Sequence, residues 1–73
     1  MNFEAVLETA NANLNVTKIN FETQKRHFLF YERLKDKKSV SEQLYQQTNY
    51  AFLAAEQSLK VSEANVKEIE VNI

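Results

Sequence analysis

Bulky apolar residues recur at seven-residue intervals in two separate stretches of the chain. The first series is Leu7, Leu14, Phe21 and Phe28, and the second is Tyr45, Phe52, Leu59, Val66 and Ile73. Each series has a companion row. Phe3, Ala10, Thr17, Gln24 and Tyr31 accompany the first; Thr48, Ala55, Ser62 and Ile69 accompany the second. A seven-residue repeat places side chains in one stripe along a helix and marks a coiled-coil seam. Folding the chain back at Lys38 pairs the rows. Phe28 then meets Thr48, Phe21 meets Ala55, Leu14 meets Ser62 and Leu7 meets Ile69. In the other row, Gln24 meets Phe52, Thr17 meets Leu59, Ala10 meets Val66 and Phe3 meets Ile73. Most pairs set a large residue against a small or polar one, as interlocking helices require. The expected fold is all-α, an antiparallel two-helix coiled-coil hairpin with a short apex turn near residues 35–39.

The pattern predicts helix over residues 3–35, a turn over 36–39 and helix over 40–71. Ser39 followed by Glu42 has the spacing of a capping box, in which the serine serves an amide of the first turn and the glutamate reaches back. Ser41 is an alternative cap. A residue such as Asp36 or Lys37 must take any left-handed conformation the turn requires, because no glycine is there to do so. Asn11, Asn13 and Asn15 form the weakest helical stretch, since asparagine competes for backbone hydrogen bonds. The seam residues Ala10, Leu14 and Thr17 run through it, and the helix is expected to continue.

Composition removes most other folds and chemistries. The chain has 73 residues with no Gly, no Pro and no Cys. Average proteins contain about 7% Gly and 5% Pro, so tight turns and sheets are disfavoured. Dinucleotide and phosphate loops need glycine for close backbone approach and are excluded. Disulfides and thiolate metal sites are excluded as well. His27 is the only histidine and has no His-x-x-x-His partner or carboxylate cluster. The Ser and Thr residues lack a base. Neither a catalytic role nor a cofactor or metal is expected.

Charge is more informative in its distribution than in its net value of −1. Residues 25–38 hold Lys25, Arg26, Arg33, Lys35, Lys37 and Lys38 against Glu32 and Asp36, a balance of +4 that leaves −5 for the rest. The apex is therefore basic and the stem acidic. Lysines at a helix end complement the macrodipole, and a basic tip also suits an electronegative partner. A groove-length basic face is lacking, so nucleic acid is not the expected partner.

No apolar run approaches the roughly 18 residues of a membrane span. The first residues contain Glu4 and Glu8 and no signal-peptide apolar region. A leader or anchor of an exported parent would belong to a part of the protein outside these residues. The seam is thin, and apolar residues remain outside it. Val16, Ile19, Leu29 and Phe30 lie off the stripe of the first helix; Tyr50, Leu53 and Val61 lie off that of the second. Ile19, Phe30, Leu53 and Val61 are the candidates for lateral packing against like hairpins.

Three stretches resemble the α-helical hairpin of periplasmic adaptors, the membrane fusion proteins of HlyD type found in tripartite efflux pumps and type I secretion systems. Residues 11–22, NANLNVTKINFE, are similar to the ascending-arm pattern A-N-L-x-x-A-K-x-N. Residues 54–70, AAEQSLKVSEANVKEIE, are similar to the descending-arm pattern A-A-E-x-x-L-x-x-A-E-A-N-L. Between them, Arg33 and Leu34, six residues, then Ser41 match the family's apex motif Arg-Leu-x6-Ser. The motif falls on the turn that the heptads locate independently. Departures are Ser39, where the family commonly has glycine, and Leu44 and Gln46, where it often has Glu and Asp.

The resemblance implies that Arg33, Leu34 and Ser41 engage the periplasmic end of a TolC-type outer-membrane channel, with Lys37 and Lys38 as a basic tip. It implies hexamers of hairpins packed into a conduit. It also implies contact with an inner-membrane transporter through lipoyl-like and β-barrel domains that 73 residues cannot contain, so the chain would be a fragment of a larger adaptor. The location would be the periplasm, with the parent anchored at the inner membrane of a Gram-negative bacterium. The alternative reading is a generic coiled-coil hairpin acting by self-association as a tether or stalk.

Overall fold

The computed structural model describes residues 2–72. It is a hairpin of two helices, α1 (Phe3–Asp36) and α2 (Glu42–Val71), packed along their length. The molecule is a rod of 54 × 13 × 13 Å. That length matches one helix of 34 residues at about 1.5 Å per residue.

Each helix is closed by local chemistry. At the start of α1, Asn2 Oδ1 accepts from the Glu4 amide at 2.9 Å, and Glu4 places a carboxylate in the first turn. Both features satisfy or complement the unpaired amides of a helix start. The asparagine-rich stretch remains helical. The seam threonines are satisfied locally. Thr17 Oγ1 donates to the Leu14 carbonyl at 2.9 Å, and Thr48 Oγ1 to the Tyr45 carbonyl at 2.8 Å. Such back-bonding lets a threonine sit in an apolar stripe without stranding its hydroxyl.

The turn differs from expectation in three respects. α1 continues to Asp36, and α2 starts at Glu42 rather than near residue 40. Lys38, not Asp36 or Lys37, takes the left-handed conformation, with φ 58°. Its position follows from the hydrogen bonds that close α1. The Ser39 amide donates to the Leu34 carbonyl at 2.7 Å, and the Lys38 amide to the Lys35 carbonyl at 2.8 Å. This pair of bonds satisfies the last carbonyls only when Lys38, the first residue past the C-cap Lys37, is left-handed. Finally, Ser41 caps α2: its Oγ accepts from the Leu44 amide at 3.1 Å. Ser39 Oγ instead donates to the Lys37 carbonyl at 3.4 Å. The expected Ser39–Glu42 capping box is not formed, because two further residues are needed to reverse the chain after Lys38.

The seam is shallow. Among the described residues only Ala10, Ala55 and Val66 are buried, with Ala55 the most enclosed at 3% exposure. Larger seam residues are half-buried, including Leu14, Phe21, Phe28, Phe52 and Leu59. Phe28 packs on both Tyr45 and Phe52, with ring centroids 5.6 and 5.4 Å apart, and Phe21 packs on Phe52 at 5.5 Å. Phe28 thus sits between two residues one heptad apart and is centred near Thr48, as folding back at Lys38 requires. The expected Phe3–Ile73 pair lies outside the described residues.

Candidate docking apex

The residues singled out for docking come together around the turn. Arg33 and Leu34 belong to the last turn of α1. Arg33 is exposed and Leu34 half-buried, and the carbonyls of both accept from the Lys37 amide at 3.3 and 3.2 Å. Lys37 and Lys38 are exposed on the turn itself. Ser41 stands across it at the head of α2, exposed, with its hydroxyl engaged in the cap. Leu34 and Val40 are the half-buried apolar pair that flanks the turn.

Below them lies a polar cluster that the motif did not indicate. Lys35 Nζ is 3.0 Å from a Glu42 carboxylate oxygen and 4.1 Å from the centre of the Tyr45 ring. Gln46 Nε2 donates to the other Glu42 oxygen at 3.0 Å. The Gln46 hydrogen bond, then the Lys35 hydrogen bond and charge, hold the Glu42 carboxyl below its ordinary 4.5. The signal was present in the sequence. Lys35 is the next member of the row Leu7, Leu14, Phe21, Phe28, so its stem belongs in the seam and its ammonium at the seam's end. Among the described residues this is the only ion pair. The cations of Arg33, Lys37 and Lys38 are therefore free of intramolecular carboxylates and face solvent at the tip.

The lateral candidates Ile19, Phe30, Leu53 and Val61 are all exposed, as are Val16, Leu29 and Tyr50. They lie along the sides of the rod and form no cluster with the apex. At the opposite end, a cleft of about 530 Å³ opens between the helices. Its lining includes Val6, Thr9, Ala10 and Asn13 of α1, and Ser62, Asn65, Glu68 and Ile69 of α2. The small residues Ala10 and Ser62 leave this space where larger partners would close the seam.

No helix among the described residues is long and apolar enough to cross a membrane. Comparison with known proteins found no matching family model, no similar characterised protein and no similar solved structure. The fold and apex therefore define the class, an all-α helical hairpin, and assignment beyond the class rests on the motifs.

Proposed function

We propose that this chain is the hairpin of a periplasmic membrane fusion protein of HlyD type. Its apex docks on a TolC-type outer-membrane channel, and its flanks pack against like hairpins in a hexameric conduit for efflux or secretion. Further domains of the parent would contact the inner-membrane transporter and hold the protein at the inner membrane. The observation that carries this reading is the placement of the Arg-Leu-x6-Ser motif. Arg33 and Leu34 end one helix, Ser41 begins the other, and the turn between them is the end of a 54 Å rod. A long, thin rod that carries exposed Arg33, Lys37 and Lys38 at its end suits contact at a distance. Arginine presents a fixed fork of donors to carboxylates or carbonyl oxygens, and Lys37 and Lys38 add unpaired charge beside it.

The alternative, a self-associating tether or stalk, draws on a different observation. Large apolar residues are exposed along both helices while the seam buries only three of the described residues. The two readings separate in the intact parent protein. Arg33→Ala should weaken pull-down of the channel and reduce export, with helicity by circular dichroism unchanged. Normal pull-down would remove the docking assignment. Joint loss of helicity and binding would make Arg33 structural.

A further inference from the structure

We infer that copies of this chain associate edge to edge and parallel. Tyr50 and Leu53, on the outer edge of α2 in one copy, seat on a hollow around Ile19 and Arg26 on the outer edge of α1 in the next. The parallel arrangement rests on the conduit reading above; the choice of edges and residues rests on the hairpin itself.

Each helix has one row of residues directly opposite its seam. On α1 the row is Ala5, Ala12, Ile19, Arg26 and Arg33; on α2 it is Gln43, Tyr50, Gln57, Ala64 and Val71. All of these are exposed, and the two rows run along the narrow edges of the rod. Exposed apolar surface collects on those edges. Among the described residues ten large apolar side chains are exposed, and seven lie in one band of the rod, on the outer rows or the rows beside them. Val16, Ile19, Leu29 and Phe30 form the band on α1, and Tyr50, Leu53 and Val61 form it on α2. The fold-back about Lys38 sets both parts at the same height. Arg26 is level with Tyr50, and Val16 nearly level with Val61.

Because both edges carry the band, the kind of contact matters. Joining two like edges covers one band in each copy and leaves the other in water. Joining an α1 edge to an α2 edge covers both bands with one interface, repeated from copy to copy as a heterologous contact. Rotation about an axis along the rod generates that contact. It keeps neighbours parallel and level, so the register between copies is fixed and not chosen.

At that register the two edges are chemically complementary. The α1 edge has a hollow of about 300 Å³ lined by Lys18, Ile19, Glu22 and Arg26. Tyr50 of the neighbour, 66% exposed in the single hairpin, arrives beside Arg26. Leu53, one turn further from the apex, arrives between Glu22 and Arg26 and covers Ile19. Arg26 takes no part in the one ion pair among the described residues, and a guanidinium stacks on an aromatic face. The outer row of α1 holds this cation and no ring; the outer row of α2 holds the ring and no cation. Only a second copy, joined by unlike edges, supplies each with the other.

The test uses the 73-residue chain in sedimentation equilibrium, with thiol cross-linking of single-cysteine variants, which are clean because the chain has no Cys. Expected is association that continues past the dimer, because each added copy keeps one free edge. Tyr50→Ser should weaken each contact about tenfold through lost burial and the lost ring beneath Arg26, with unchanged circular dichroism. Tyr50→Phe keeps the ring and should stay near wild type. Leu44→Ser, an exposed apolar residue off both edges, is the control and should also stay near wild type. A mixture of Ile19→Cys and Gln57→Cys chains, level on opposite outer rows, should give the mixed cross-link. A monomer at high concentration, association that stops at the dimer, links only between identical positions, or Ile19→Cys linking better to Ala64→Cys than to Gln57→Cys would each overturn the inference. Channel pull-down separates this from the docking reading. If the mixed link forms and Arg33→Ala pulls down normally, docking falls and the edge contact stands. If Arg33→Ala loses pull-down and the link is absent, the edge contact alone is overturned.

Discussion

The apical and basal halves of the hairpin close the same seam with different side chains. In the apical half, Phe21, Phe52, Phe28 and Tyr45 form a continuous aromatic ladder with centroid spacings of 5.4–5.6 Å, ending in Lys35 over the Tyr45 ring. In the basal half, Ala10, Thr17 and Ser62 alternate with Leu14, Leu59 and Val66, and a cleft remains open between the helices. Phe28 and Phe52 each reach two rings and tie successive layers together, adding geometric preference to their buried area. Small residues fill their places without linking layers. A two-helix seam cannot enclose a core, so rigidity depends on which side chains bridge it. The aromatic ladder leads us to expect the firmer half of the hairpin just beneath the residues proposed to dock.

Substitutions in the two halves should therefore differ in size. Phe52→Ala removes the ring that touches both Phe21 and Phe28. It should cost about 2–3 kcal/mol by denaturant unfolding, below the roughly 3–5 kcal/mol of an enclosed site because Phe52 is only half-buried. Leu14→Ala in the basal half should cost about 1–2 kcal/mol. Equal costs would mean that the ladder adds nothing to area burial.

At the turn, Ser41→Ala should cost about 0.5–2 kcal/mol through loss of the cap, while Ser39→Ala should be nearly neutral. Both are read from thermal unfolding, and the reverse order would restore Ser39 as the cap. Filling the basal cleft should sharpen the comparison from the other side. Ser62→Leu places an apolar side chain in half-buried space and should add about 1 kcal/mol. A loss of stability would show that the basal half is already well packed. Lys38→Gly should add about 0.5–1 kcal/mol, the left-handed penalty of about 1–2 kcal/mol less the greater freedom of unfolded glycine.

The smallest effect concerns Glu42. Its carboxyl is held below 4.5 in the folded chain by Gln46 and Lys35. A depressed folded value means that the contribution is present above about pH 4.5 and is lost as pH falls through the folded value. Thermal midpoints of wild type and Glu42→Gln should differ slightly at neutral pH and converge in acid. The group is fully exposed, so solvent screening keeps the difference small.

Most of the architecture was legible because the heptads are long and their fold-back point lies within a glycine-free turn. Phe28 centred between Tyr45 and Phe52 follows directly from that register. The turn was legible only in outline. Ser39 and Ser41 carry the same capping chemistry, and the choice between them depends on where the chain reverses. Reversal follows the carbonyls of Leu34 and Lys35, which accept from Ser39 and Lys38 and make Lys38 the left-handed residue. Spacing rules favoured Ser39–Glu42 because they score a local motif and do not count the residues needed to turn. The Lys35–Glu42–Gln46 cluster was legible in principle, since Lys35 continues a seam row, but a lysine there reads as a row's end. The exposed flank residues were readable from the heptads as outward-facing.

Native-state hydrogen exchange of the backbone amides tests the central contrast most directly, since it reports opening free energy residue by residue. Amides of residues 21–31 and 45–55, around the aromatic ladder, should exchange most slowly. Those of residues 5–13 and 62–69, around the cleft, should exchange markedly faster. Uniform protection along both helices, or slower exchange at the cleft than at the ladder, would contradict the account of a firm apical half carried on a looser base.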